Sequence, residues 1–229
     1  MSESSEELDT NEVVPNRVPR ERPRYRMSVD AIPYTLDLAT CSTPVDWQAL
    51  FGNDHPVELE VGSGKGLFLA NAAASDPGCN YLGIEIARKY AGQAAERIAK
   101  HHLTNVKVLP GDALLFLSRY VPPQSLRVVH VYFPDPWWKK RHRKRRVFNE
   151  GLVVSIERGL VPKGELSVVT DVEEYFGVIC ELMAEHTLFE DIPISEPKTP
   201  EHDLDYLTNF ERKYRIEGRP IYRKLYRLR

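Results

Sequence analysis

The sequence predicts an α/β protein built on a mostly parallel, twisted sheet with helices on both faces. Three observations predict it. Short β-runs alternate with helical segments from Val57 onward, a glycine-rich turn joins the first strand to the first helix, and acids recur at the ends of successive strands. At 229 residues, against a prior of ~150 residues per domain, one α/β domain with an appended tail fits better than two full domains. Charged residues at 28% and hydrophobic residues at 42% argue against wholesale disorder, collagen or a membrane bundle.

Residues 1–12 are rich in Ser and Glu and residues 13–26 in Pro and Arg, without apolar periodicity, so 1–26 reads as a flexible tail and 27–229 as a single domain. VELEV (57–61) is a strand; LFLANAAAS (67–75) is a helix before the turn DPGCN. YLGIE (81–85) is the second strand, Arg88 to His101 an Ala-rich amphipathic helix, VKVL (106–109) the third strand, and Ala113 to Tyr120 a helix. LRVVHVYF (126–133) is a long buried strand. A helix from Phe148 to Leu160 is expected to stop at Pro162 and Gly164, followed by the strand ELSVVT and a helix from Val172 to His186. This period gives βαβ units with right-handed crossovers.

The chain holds 31 Lys and Arg against 33 Asp and Glu, a net charge of −2, which averaged over the chain argues against a nucleic-acid partner. The distribution reverses that. Residues 1–12 carry five acids and no base; seven bases fall within Lys139–Arg146 and eight more between Arg212 and Arg229. Cys41, Cys79 and Cys180 are scattered and odd in number, so neither a disulfide framework nor a metal cluster is implied, and a reducing cytoplasm fits. No apolar run of ~18 residues is present and the acidic start lacks the regions of a signal peptide, so neither membrane spanning nor secretion is expected.

In LEVGSGKG, Gly62, Gly64 and Gly66 follow the first strand and open a helix, where a ligand can approach the backbone and the positive end of the helix dipole. The dinucleotide fingerprint GxGxxG fails because position 67 is Leu67, and the phosphate loop fails because Gly64-Lys65 is followed by Gly66. Glu60, Glu85, Asp112 and Asp135 close the first four strands, at the carboxyl edge where open α/β sheets bind ligands. Glu85 suits ribose hydroxyls, Asp112 an exocyclic amine and Glu60 an ammonium group. Together they suit a nucleoside with a cationic amine and no pyrophosphate.

VYFPDPWWKKRHRKRR runs a strand directly into Pro134-Asp135-Pro136, whose prolines stiffen the corner around the carboxylate. Trp137 and Trp138 follow, as ring partners or as plain packing, and then the basic run. A solvated charged face is the bland explanation of that run; its fusion to the candidate site favours phosphate-backbone binding.

On FPDPW and the KKRHRKRR run, with LEVGSGKG, GIE (Gly83, Ile84, Glu85), Thr170-Asp171 and Thr208-Asn209-Phe210-Glu211, the chain from about Pro23 resembles the bacterial tRNA (guanine-N7-)-methyltransferases. The resemblance implies a Rossmann-like, S-adenosylmethionine-dependent methyltransferase fold and methyl transfer to N7 of a tRNA guanine, number 46 of the variable loop, giving 7-methylguanosine. It further implies that Glu60, Gly62, Gly64, Gly66, Glu85, Asp112 and Asp135 contact S-adenosyl-L-methionine, with Asp135 catalytic. Lys139, Asp171, Thr208, Asn209, Phe210 and Glu211 would contact the guanine-bearing substrate. Arg141, His142, Arg143, Lys144, Arg145 and Arg146 would approach the RNA. No metal is implied, and the protein is expected to be a monomer or homodimer. Trp138 and the acidic tail depart from the family pattern. Thr208 to Glu211 also reads as a helix capping box, and the two roles are compatible. The rivals are an exocyclic-amine RNA or DNA methyltransferase, a noncatalytic RNA-binding protein of this fold, and a small-molecule methyltransferase, which leaves the basic run unexplained.

Overall fold

The computed structural model describes residues 25–137, 139–186, 188–194 and 208–229; of the expected tail, only Tyr25 and Arg26 are among them. The main chain of Lys140, Arg143, Lys144 and Asn209 is described, but their side chains are not.

After two short 3-10 turns comes α1 (Trp47–Phe51), then β1 (Val57–Val61), α2 (Leu67–Ser75), β2 (Asn80–Glu85) and α3 (Arg88–Lys100). The chain continues through β3 (Val106–Pro110), α4 (Ala113–Arg119), β4 (Leu126–Tyr132), a 3-10 turn at Lys140–Arg145, and α5 (Glu150–Gly159). It ends with β5 (Leu160–Thr170), α6 (Glu173–Ala184), β6 (Phe189–Ile192), α7 (Asn209–Ile216) and β7 (Tyr222–Leu228). The strands form one sheet in the order β3-β2-β1-β4-β5-β7-β6. The first five pair in parallel, and β7 runs antiparallel to both β5 and β6.

Strand alternation sorts the core into two layers. Val57, Leu59, Val61, Leu82, Ile84, Val129, Val131, Leu166 and Val168 join Phe116, Leu152, Ile156 and Tyr175 from α4, α5 and α6. On the opposite face Tyr81, Val106, Val108 and Val169 meet Phe68, Leu69, Ala91, Ala94 and Ile98 from α2 and α3. Each fully buried Leu or Ile contributes ~1.5–3 kcal/mol.

The second face also carries a polar chain. Glu58 accepts from Arg127 Nε at 2.8 Å and pairs with His130 Nε2 at 2.8 Å; His130 Nδ1 meets the Tyr132 hydroxyl at 2.8 Å, which meets Ser167 Oγ at 3.2 Å. Burial acts to raise the Glu58 pKa, but hydrogen bonds and charge from His130 and Arg127 outweigh it and leave it below the ordinary value.

The expected helix over 148–160 forms over Glu150–Gly159, and β5 starts at Leu160, five residues before the expected ELSVVT. Pro162 and Gly164 do not interrupt the strand because they occupy a pairing irregularity. Leu160 pairs with Leu126 and Glu165 with Val128, so the intervening residues bulge, as strands permit at Pro and Gly.

Candidate active site

The glycine loop turns at the carboxyl end of β1 through positive φ at Gly62, Gly64 and Gly66. A Cβ at Gly62 or Gly64 would meet nothing within 4 Å, so the loop borders open space, whereas one at Gly66 would lie 2.8 Å from Ala94 Cβ. Gly66 therefore serves the approach of α2 to α3, and Gly62 and Gly64 leave backbone accessible to a ligand.

Glu85, last in β2, clamps this loop: its Oε2 accepts from Gly64 N at 2.9 Å and its Oε1 from Ala87 N at 2.8 Å. Glu60, next to last in β1, is buried with Oε2 unpartnered, as is the Ser63 hydroxyl beside it. Burial and then the Glu85 charge push the Glu60 pKa well above the usual carboxylate range. An orphaned buried carboxyl beside an open glycine loop fits a ligand bearing a cationic amine. Asp112 is exposed after β3 and caps α4, its Oδ1 accepting from Leu115 N at 3.1 Å. Ile86, missed in the sequence, is 71% exposed directly after Glu85 and offers an apolar face at the same edge; its one signal was position.

The corner after β4 is strained as well as stiff. Phe133 and Trp137 adopt φ of 49° and 42°, a region bulky residues rarely visit and one associated with functional sites. Asp135 lies exposed between them. Arg146 Nε donates to the Pro136 carbonyl at 2.7 Å, and its guanidinium stands 4.6 Å over the Tyr175 ring, bracing the corner from within. Burial first, with a smaller contribution from Asp135, raises Tyr175 to about 12 against the lowering effect of Arg146. Around Trp137, His142 makes an edge contact at 5.8 Å and Arg145 a cation–π contact at 5.2 Å. Lys139, Arg141 and Arg145 are exposed. Trp138 lies outside the described residues.

Asp171 follows β5, and Arg219 Nη2 lies 2.6 Å from its Oδ2. The turn from α7 into β7 reaches the same edge, because Tyr222 at the start of β7 pairs with Thr170. Thr208 Oγ1 accepts from Glu211 N at 3.0 Å, so the capping half of its sequence reading is realised. Glu211 is buried, its Oε1 accepting from Arg223 Nη2 at 2.6 Å and Arg215 Nε at 3.1 Å. Phe210 is 52% exposed and packs its ring 5.9 Å from Phe133, joining α7 to the corner after β4. Tyr214 and Arg219 were missed in the sequence, where neither belongs to a motif. Among the described residues no cluster of His, Cys, Asp and Glu is arranged to hold a metal, and no helix is long and apolar enough to cross a membrane.

An open sheet in this strand order, with a glycine loop clamped by a strand-end carboxylate, defines a Rossmann-like S-adenosylmethionine-dependent methyltransferase. Solved structures of that class share the fold: the 16S rRNA methyltransferase KamB (TM-score 0.58, 16% identity, 80% of this chain and 92% of that one) and the aminoglycoside resistance methyltransferase NpmB1 (0.51, 18%, 76% and 87%). The family model Methyltransf_4, described as "Putative methyltransferase", matches residues 54–224. The tRNA (guanine-N(7)-)-methyltransferase of Rhodopirellula baltica is 48% identical over 191 residues, 81% of this chain and 70% of that protein; the one of Geobacter metallireducens is 35% identical over 204 residues, 88% and 96%. The chain belongs to the tRNA (guanine-N7-)-methyltransferase family, and the exocyclic-amine alternative is not favoured.

Proposed function

We propose that the protein transfers the methyl group of S-adenosyl-L-methionine to N7 of a guanine in tRNA, in the cytoplasm, as a monomer or homodimer and without a metal. The observation that carries the reading is one shared sheet edge. It holds the open glycine loop with its orphaned Glu60, the strained corner bearing Asp135, and the Asp171–Glu211 side joined to that corner through Phe210 and Phe133.

S-adenosyl-L-methionine, when bound, supplies a methyl group on a sulfonium, an electrophile that needs no activation. Gly62, Gly64 and Gly66 would leave backbone open to it, Glu60 would face its ammonium, Glu85 its ribose and Asp112 its exocyclic amine, while the Ile86 side chain would cover the purine. Guanine N7 carries an in-plane lone pair and no proton, so no general base is required. Positioning then dominates, and a near-attack geometry at ~3–3.5 Å can supply ~7–11 kcal/mol. Asp135, held by the prolines and by Arg146, orients the reactants and offsets positive charge developing on the purine. Asp171 and Glu211 would accept from the guanine N1 and N2 donors, which adenine lacks, so adenine would forgo these charge-assisted hydrogen bonds. Lys139 borders the base, and Arg141, His142, Arg143, Lys144 and Arg145 meet the phosphate backbone; Arg146 contributes mainly by bracing the corner.

Incubation with labelled S-adenosyl-L-methionine and unmodified tRNA, followed by nucleoside mapping, tests the assignment. Label is expected in 7-methylguanosine, and label in another nucleoside would overturn it. Asp135→Asn is expected to lower single-turnover transfer by ~10²-fold at saturating cofactor and RNA; normal transfer would remove Asp135 from the mechanism.

A further inference from the structure

The Asp171 side chain is only 11% exposed, and the group filling its open side belongs to the protein itself. Arg219 sits in the turn between α7 and β7, places Nη2 2.6 Å from Asp171 Oδ2, and lays its guanidinium carbon 4.1 Å over the Tyr214 ring. A guanidinium is a planar cation with a fork of N–H donors that stacks on aromatic faces. Guanine has the same two features: N1–H and N2–H₂ form an in-plane donor fork, and the ring stacks. Arg219 thus makes, to Asp171 and the Tyr214 ring, the two contacts a captured guanine would make, while its Nη1 stands 3.8 Å from Glu217 Oε2.

We propose that Arg219 is a built-in placeholder for the target guanine and that Tyr214 is the stacking platform on which that base displaces it. The proposal rests on the reading that Asp171 accepts the guanine edge. A largely buried carboxylate left without a cation is costly, so Arg219 compensates Asp171 until the substrate arrives. The arginine is also open to displacement from the solvent side. Its side chain is 43% exposed, and it borders an open cleft of about 370 Å³ lined by Arg215, Gly218, Ile221 and Arg223. Tyr214 in turn lies 5.7 Å from Phe133 and 6.1 Å from Phe210, so the platform continues toward the corner that carries Asp135.

A purely structural pair, tying the α7–β7 turn to the end of β5, would give kinetic changes of the opposite sign. Steady-state methylation of unmodified tRNA by Arg219→Ala and Arg219→Lys separates the two. For Arg219→Ala the placeholder predicts that KM for tRNA falls by roughly two- to five-fold, because an ion pair exposed on its arginine side no longer has to be broken. Arg219→Lys keeps the charge without the planar stack and should fall between wild type and Ala. Tyr214→Ala should raise KM by roughly ten-fold, as for loss of one base stack, with Tyr214→Phe recovering most of it. A raised KM in both Arg219 variants, or an unmoved KM in Tyr214→Ala, overturns the proposal. Absence of 7-methylguanosine from wild-type reactions would instead overturn the function on which it rests.

Discussion

Glu60 and Glu58 stand two residues apart on the same face of β1, and their surroundings drive their pKa values in opposite directions. Glu60 has burial and the Glu85 carboxylate against it, so its pKa is raised. A group raised in the folded state stabilises the fold below its unfolded pKa, and that contribution disappears as pH rises through the folded value. The ligand-free protein should therefore lose stability as Glu60 ionises, and Glu60→Gln should flatten that part of the thermal-denaturation profile. A cationic amine placed against Glu60 would favour the ionised form, so cofactor binding should expel a proton. Calorimetry in two buffers of different ionisation enthalpy is expected to show proton release that Glu60→Gln lacks; equal release by both would assign the proton elsewhere. Glu58 is lowered by His130 and Arg127 despite burial. Its contribution is present above the unfolded carboxylate pKa and is lost as pH falls through the folded value, so Glu58→Gln should blunt acid denaturation.

At the scale of elements, α7 shows how a cap and a site share residues. Thr208 satisfies the Glu211 amide, so Thr208→Ala should cost ~1 kcal/mol in denaturant unfolding. Glu211 is different because its carboxylate anchors Arg215 and Arg223. Glu211→Gln should weaken tRNA turnover as well as lower the melting temperature; a lower melting temperature alone would leave Glu211 a structural residue. The elements legible in the sequence were those with a strong apolar period, β1 to β4 with α2 to α6, together with the glycine loop and the stiff corner around Asp135. β7 was not legible, because its strand is written in Tyr222, Arg223, Lys224, Tyr226 and Arg227, whose long bases give no apolar alternation. Each base there finds a partner instead: Arg223 with Glu211, Lys224 with Asp191, Arg227 with Glu165. The partners lie 12 to 62 residues away in the chain, and no local pattern announces such pairs. The start of β5 was hidden for a related reason, since Pro162 and Gly164 are stops locally and a bulge only once β4 is beside them.

At the scale of the whole molecule, the net charge of −2 separates into three populations. The bases after Arg212 that are seen in ion pairs belong largely to the fold. The exposed bases of the run after Asp135 face solvent at the ligand edge. A third group, Lys65, Lys89, Arg97 and Lys100, lies on and beside α3, where Arg97 Nε donates to the Lys65 carbonyl at 3.0 Å. Neutralising Arg141 and Arg145 should reduce the slope of log affinity against log salt by roughly 1.4 to 1.8, at ~0.7–0.9 per phosphate contact, with cofactor affinity unchanged. Neutralising Lys224 and Arg227 should lower the melting temperature and leave the slope alone. The chain enters the described body at Tyr25, whose ring closes on Gly92 of α3 so tightly that a Cβ there would lie 2.4 Å from it, while Ser28 N donates to Glu96 at 3.0 Å. Residues 1–12 carry five acids and no base, and such acids would compete with phosphate for a basic surface. Deleting residues 1–12 should tighten binding of noncognate RNA at low salt, and the gain should vanish as salt approaches ~1 M, where the Debye length falls to ~3 Å. An unchanged low-salt affinity would show that the acids do not screen this surface.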